Sequence, residues 1–318
     1  MSLLEVKNIS KCYSVSRRRL GLPQQIEAIR NINFKLDAGE TLAIVGESGS
    51  GKSTLARQII GIEKPTSGKV YFNNEEQNPR SRKQRKNRFR NIRMVFQNPY
   101  ESLNPQARIG ETLDEVLQIN TKLSSKQRKE KIATTLVKVG MLAEHQYRYP
   151  HMFSGGQRQR IAIARAIILD PQIIIADEPL SALDVSIQAQ ILNLLQELQE
   201  QMGISYLFIS HDLNIVEHIA DRVMVMFKGE VIEYGGVDQI FDNPKHPYTQ
   251  TLFASTPMYR QRFPEFSTPK TVGKESTKST GCQFAGRCNY CSQKCLEEKP
   301  ELFELDSGHR AACFKTTK

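Results

Sequence analysis

No stretch of this chain is long and apolar enough to cross a bilayer. A membrane helix needs about 20 consecutive apolar residues. The longest run here, Ile161 to Leu169, is shorter and is broken by Arg165. The N-terminus, Met1-Ser2-Leu3-Leu4-Glu5-Val6, lacks the basic segment and apolar core of a signal peptide. The expectation is a protein kept in the cytoplasm that reaches a membrane only through partners. Cysteine is scarce where a disulfide scaffold would need it: Cys12 stands alone before residue 282. Acids are missing from the run Arg80, Arg82, Lys83, Arg85, Lys86, Arg88 and Arg90, with Arg93 just beyond. A basic run can bind nucleic acid or acidic lipid headgroups. This one has no aromatic platform and no nucleic-acid motif beside it, so a solvated helix face or loop is preferred and no nucleic-acid partner is expected.

What is present suits a globular chain. With 318 residues, 39% of them hydrophobic and 25% charged, it can form one large domain or two smaller ones. Apolar runs alternate with longer helical patterns, which predicts an α/β domain with a largely parallel sheet. Strands are expected at Leu3–Ile9, Thr41–Val45, Val70–Phe72, Ile92–Phe96, Ile173–Asp177, Tyr206–Ser210 and Val223–Phe227. Helices are expected to begin at Lys52, Glu111, Ser125, Gly156, Ser186 and Leu213. After Ser186, the residues Ile187, Ile191, Leu194, Leu195 and Leu198 share one helix face and read as core packing. The expected organisation is a nucleotide-binding core at 1–255 with an inserted helical subdomain at about 98–165. A linker at 256–280 follows, punctuated by Pro257, Pro264 and Pro269 and polar from Lys270 to Thr280. The last part, 281–318, reads as a small separate unit rich in cysteine.

Three motifs carry chemistry. Gly46-Glu47-Ser48-Gly49-Ser50-Gly51-Lys52-Ser53, with Thr54 next, follows the apolar run Leu42-Ala43-Ile44-Val45 and opens a helical pattern. That strand–loop–helix context is what a phosphate loop requires. Its glycines let backbone N–H groups curl around phosphates, and the helix N-terminus adds positive dipole. Lys52 is assigned to the β- and γ-phosphates and Ser53 to Mg²⁺. Asp177-Glu178 ends an apolar strand, where a carboxylate is costly without a metal-linked task. Asp177 suits Mg²⁺, and Glu178 suits the general base that polarises an attacking water. His211 follows another apolar strand and is a candidate for the γ-phosphate, because ligands collect at strand C-termini in such sheets. The third motif is Ser154-Gly155-Gly156-Gln157.

Together these residues resemble the nucleotide-binding subunits of ABC transporters, whose fold is a P-loop α/β domain. Ser154–Gln157 is similar to the family's signature loop, with Phe153 where Leu is commoner. Gln97 is similar to the Q-loop glutamine, which also reaches Mg²⁺. Ser181-Ala182-Leu183-Asp184 is similar to the D-loop and His211 to the switch histidine. Tyr13 matches the aromatic that stacks on adenine, with a surface-packed tyrosine as the other reading. Gln97-Asn98-Pro99-Tyr100-Glu101-Ser102-Leu103-Asn104-Pro105, Arg148-Tyr149-Pro150-His151-Met152-Phe153 and His246-Pro247-Tyr248-Thr249 narrow the resemblance. They look like the peptide and nickel importer ATPases, and most like the second ATPase subunit of bacterial dipeptide importers.

The resemblance implies ATP hydrolysis at the cytoplasmic face of the inner membrane. The implied partners are two permeases, a paralogous second ATPase and an extracytoplasmic substrate-binding protein. Two ATPases would close face to face, with the phosphate loop of one meeting the Ser154–Gln157 loop of the other. Importers of oligopeptides or nickel stay open. So does a soluble ABC ATPase acting on ribosomes or nucleic acid, although its relatives carry either two phosphate loops or a long coiled coil, and this chain has one loop and no coiled coil.

Cys282, Cys288, Cys295 and Cys313 are spaced C-x5-C-x6-C-x17-C. From chemistry alone, four thiolates suit Zn²⁺ or an iron–sulfur cluster. The resemblance implies a [4Fe-4S] cluster on these four. Cys291 departs from the pattern, forms Cys-x-x-Cys with Cys288, and could substitute as a ligand.

Overall fold

The computed structural model describes residues 2–15, 24–78, 81–97, 103–264 and 281–316. Its centre is a sheet in the order β11 (Phe303–Asp306), β12 (His309–Ala311), β10 (Glu230–Gly236), β9 (Arg222–Phe227), β3 (Thr41–Val45), β8 (Ser205–Ile209), β7 (Ile173–Asp177) and β6 (Ile92–Val95). The parallel strands are β3, β6, β7, β8 and β9. These are the apolar runs of the sequence, buried on both faces as crossover connections demand. Alternation divides each strand between two cores. Leu42, Ile44, Ile173 and Ile175 pack on one side of the sheet. Ile174 and Ala176 pack on the other beneath the helices, while Ala43 and Val45 join an aromatic cluster.

A second sheet lies over the first face. It is antiparallel, in the order β2-β1-β4-β5, from β1 (Ser2–Val15), β2 (Gln24–Asp37), β4 (Ser67–Phe72) and β5 (Glu75–Glu76). The largely parallel expectation holds for the central sheet and misses this one. Its signal was present in β2, where Ile32, Phe34 and Leu36 are buried and the residues between them exposed.

Between β6 and β7 the chain is helical: Ile109–Asn120, Ser125–Lys138 and Gly155–Ile167. Helix Val185–Met202 joins them, burying Ile191, Leu194, Leu195 and Leu198 along the expected face. Among the described residues no helix is long and apolar enough to cross a membrane.

The basic run forms helix Arg82–Asn91, capped by Ser81, and Arg80 lies outside the described residues. Arg82, Lys83, Arg85, Lys86 and Arg90 are exposed, as a solvated face requires. Arg88 differs. It is buried, and it donates through Nε to the Ile59 carbonyl and through Nη2 to the Gln58 carbonyl, both at 2.5 Å. These carbonyls lie in the last turn of helix Lys52–Ile60, where the helix's own N–H groups leave acceptor capacity to spare. Burial lowers the pKa of its guanidinium to about 10, so it stays charged at neutral pH.

Two expectations about the C-terminus need correction. Residues 256–264 do not behave as linker: Tyr259 is buried against Phe241 and Phe253, and its hydroxyl donates to Glu217. The rest of the expected linker, 265–280, lies outside the described residues. The segment 281–316 is not a separate unit either. Its strands β11 (Phe303–Asp306) and β12 (His309–Ala311) extend the central sheet, pairing onto β10 (Glu230–Gly236). Phe284 joins the aromatic cluster beside Phe227 and Tyr248. So short a segment cannot bury enough surface by itself, so it takes its core from the larger domain.

Candidate active site

The phosphate loop leaves the fully buried β3 and enters helix Lys52–Ile60. Gly46 and Gly51 are required there. A Cβ on Gly46 would lie 2.1 Å from the Met226 carbonyl oxygen; one on Gly51 would lie 2.6 Å from Ile29, and Gly51 also sits at φ +102. Gly51 caps the helix without a side chain, which leaves the first-turn N–H groups available to an anion. Lys52 is buried and folds back onto its own loop. Its ammonium donates to the carbonyls of Gly46 (2.7 Å) and Glu47 (2.9 Å) and to Ser50 Oγ (3.4 Å). Burial pushes its pKa down, and the carboxylates of Glu178, Asp177 and Glu47 oppose that shift.

Three adjacent strands bring the remaining groups together at their C-terminal ends. Ser53 donates to Asp177 Oδ1 at 3.2 Å. Burial raises the Asp177 pKa, the Ser53 hydroxyl lowers it, and nearby Glu178 raises it. Glu178, at the end of β7, stands at φ +48, a strained position for a residue with a Cβ. Its carboxylate accepts from Gln97 Nε2, after β6, at 2.9 Å and lies 3.3 Å from His211 Nδ1, after β8. Gln97, Asp177, Glu178 and His211 are thus one constellation with Lys52 and Ser53, in a chain where their numbers span 52 to 211. Such a group can bind a phosphate chain with a hard cation and hold a water beside a carboxylate. The motif residues Asn98 to Ser102 lie outside the described residues.

Ser154 caps helix Gly155–Ile167 through a reciprocal pair: its side chain accepts from the Gln157 N–H (3.3 Å), and Gln157 Oε1 accepts from the Ser154 N–H (3.1 Å). Gly156 is buried, and a Cβ on it would meet Ile187 Cγ2 at 2.6 Å. Between the two sites runs Ser181–Asp184. Ser181 Oγ donates to the Glu178 carbonyl, and Asp184 caps helix Val185–Met202. The Ser154–Gln157 loop makes no hydrogen bond to the phosphate loop of the same chain among the described residues. Phe153 is buried edge-on to His145. Tyr13 donates to Glu63 Oε2 at 2.5 Å and bonds Thr54, the residue after Ser53.

Sequence reasoning missed two contacts. The Glu47 N–H donates to Tyr248 Oη (2.8 Å), and Arg287 pairs with the Glu47 carboxylate. Tyr248 stood in a quoted motif without a role, and nothing marks Arg287 except its place before Cys288.

Cys282, Cys288, Cys291, Cys295 and Cys313 line one cavity of about 430 Å³, with His246 at its wall. All six cysteines of the chain are free thiols. Burial pushes Cys282 up to about 11 and Cys288 up to about 12. Cys295 and Cys313 act on both, whereas exposed Cys291 is influenced by Cys295 alone. The expected ligand set does not converge on a point: among the described residues no three His, Cys, Asp or Glu are grouped to hold a metal ion.

Residues 29–181 match the ABC transporter family, and residues 232–295 match the oligopeptide/dipeptide transporter C-terminal region. The chain is 49% identical to the dipeptide transport ATP-binding protein DppF of Haemophilus influenzae, over 98% of this chain and 96% of that protein. The chain belongs to the ATP-binding subunits of the oligopeptide/dipeptide ABC transporters. It is an ATP-hydrolysing subunit that energises peptide transport. DppF of Escherichia coli is 47% identical over 98% of this chain and 94% of that protein. Among solved structures, the chain resembles the ATP-binding cassette MJ0796 in a dimeric post-hydrolysis state bound to ADP and Pi. The TM-score is 0.65 and the identity 32%, covering 74% of this ABC subunit and 98% of that chain.

Proposed function

We propose that this subunit hydrolyses ATP to drive import of dipeptides across the bacterial cytoplasmic membrane, working from its cytoplasmic face. The cargo reading rests on the dipeptide-transport relatives. The mechanistic reading rests on one observation, the Glu178 carboxylate held between Gln97 and His211 beside the Ser53–Asp177 pair. Backbone N–H groups at Gly49 to Thr54 bind the phosphates, and Lys52 turns from its loop carbonyls to the β- and γ-oxygens. Tyr13 packs on the adenine. Ser53, Asp177 and Gln97 offer the oxygen donors a hard cation takes, and bound Mg²⁺ would neutralise charge on the β- and γ-phosphates. Glu178 takes the proton of the attacking water, and His211 holds the γ-phosphate. The Ser154–Gln157 loop and Asp184 serve the ATP of a second, paralogous ATPase. Two permeases and an extracytoplasmic binding protein complete the assembly. Glu178→Gln in the reconstituted complex should keep ATP binding and stop turnover at this subunit's own site, leaving only what the partner's site supplies. Steady-state ATPase near the wild-type rate would refute Glu178 as base.

We propose also that Cys282, Cys288, Cys295 and Cys313 hold a [4Fe-4S] cluster, with Cys291 outside the set. The four thiols line one cavity with room for a multi-iron cluster, around which they would have to draw together. These thiols must give up their protons on binding. When bound, the cluster would supply cross-links among chain segments that lack a core of their own. Anaerobically purified protein should be brown, and colourless protein with stoichiometric zinc would overturn the assignment.

A further inference from the structure

We infer that Arg287 and Tyr248, from the C-terminal region, are positioning residues for the phosphate loop, acting through Glu47. The inference rests on the loop being the ATP site and is independent of what the cysteines hold. Every polar group of Glu47 is engaged. Its N–H donates to Tyr248 Oη at 2.8 Å, and its carbonyl accepts from Lys52 Nζ at 2.9 Å. Its carboxylate receives both Arg287 terminal nitrogens, Nη2 at 2.8 Å and Nη1 at 3.1 Å, in a two-pronged pair.

The anchors are themselves fixed. Tyr248 is fully buried, with its ring 4.5 Å from that of Phe227 and 5.5 Å from that of Phe284. The Arg287 guanidinium lies 5.5 Å from the Phe284 ring and 5.8 Å from Phe227. Arg287 closes the short turn Ala285–Arg287, which hangs from the Cys282 carbonyl and leads straight into Cys288. The phosphate loop is therefore held at its second residue, two positions before the glycine that begins the anion cradle. A loop fixed before its ligand arrives loses less freedom on binding, so the benefit belongs to nucleotide affinity. The Glu47–Arg287 pair is 43% and 36% exposed, so its own electrostatic share is small and the buried tyrosine carries more. Coupling of this kind is reciprocal: what steadies the Cys282–Cys288 turn favours nucleotide, and nucleotide steadies the turn.

The test uses the full transporter complex and ATP or ADP. Arg287→Ala should raise the KM for ATP about three- to fivefold with kcat little changed, as loss of one exposed pair allows. Tyr248→Phe should raise it about fivefold, because the half-buried Glu47 N–H loses its acceptor. Arg287→Lys should recover only part of the loss, since an ammonium cannot form the two-pronged pair. In a Glu47→Gln background Arg287→Ala should add little. Unchanged KM in both Arg287→Ala and Tyr248→Phe, or an equal effect of Arg287→Ala with and without Glu47, would overturn the inference. Should Arg287→Ala not fold, Arg287→Lys and Tyr248→Phe decide it alone. A wild type that bound no ATP would indict the site assignment instead.

Discussion

The nucleotide site and the cysteine-lined region meet at Glu47 and are built in opposite ways. At the nucleotide site the chemistry sits on the ends of strands whose own burial needs no help. Ile173 to Ala176 are fully buried before Asp177 and Glu178 emerge. The cysteine region carries its thiols on turns and one short helix and relies on neighbours for support. Its one large buried aromatic, Phe284, packs on Phe227 and Tyr248 of the main domain. The arrangement of the first follows from strand geometry, and that of the second depends on docking.

The largest effect should come from cutting that docking. Phe284→Ala removes a buried ring and should cost about 3–5 kcal/mol. Chemical denaturation of the purified chain would measure it. A loss shared by the main unfolding transition makes the region part of the domain core. A main transition that does not move would make it an appendage and break the comparison.

Legibility in the sequence follows the same division. The phosphate loop was legible because its glycines, Lys52 and the preceding strand are contiguous, and Glu178 and His211 because each ends an apolar run. Their meeting could be anticipated from the rule for strand ends. The antiparallel sheet was not anticipated, since β1 and β2 alternate over only part of their length and carry several register shifts. The inward turn of Arg88 escaped because charge patterning alone makes every residue of a basic run look solvated. The C-terminal segment misled for a physical reason. Thiol spacing reports ligand chemistry and says nothing about which core a short segment borrows, so Arg287 and Tyr248 could not be tied to Glu47.

A smaller effect separates the two regions by pH. His246 is buried at the wall of the cysteine cavity, and burial lowers its pKa from 6.5 to about 4 while Glu233 opposes this. Glu233 is itself fully buried and accepts from the N–H groups of Lys245 and His246 and bonds His309. Below pH 6.5 the unfolded chain takes up a proton that folded His246 refuses, so stability falls as pH drops toward 4. The loss should reach about 2 kcal/mol by pH 5. His246→Asn keeps an N-cap acceptor for the Tyr248 N–H and removes the titrating ring. Its stability should therefore fall less steeply between pH 6.5 and 5, read by denaturation at each pH. Identical slopes in the two proteins would assign the acid sensitivity to other groups.

The smallest effect on stability should come from the Ser154–Gln157 loop, proposed to serve the other subunit. Ser154→Ala removes one cap and should cost about 1 kcal/mol of chain stability. Its effect on catalysis should depend on which site is left active. When the partner ATPase is inactivated at its own base, only the site on this chain's phosphate loop turns over, and Ser154→Ala should leave that rate near normal. When Glu178→Gln silences this chain instead, the working site is the partner's, and Ser154→Ala should slow it by about tenfold or more, because a donor to the γ-phosphate is lost. Equal losses in both pairings would mean that Ser154 acts within its own chain. The self-contained hydrogen bonding of Ser154 and Gln157 would then be a helix cap and nothing more.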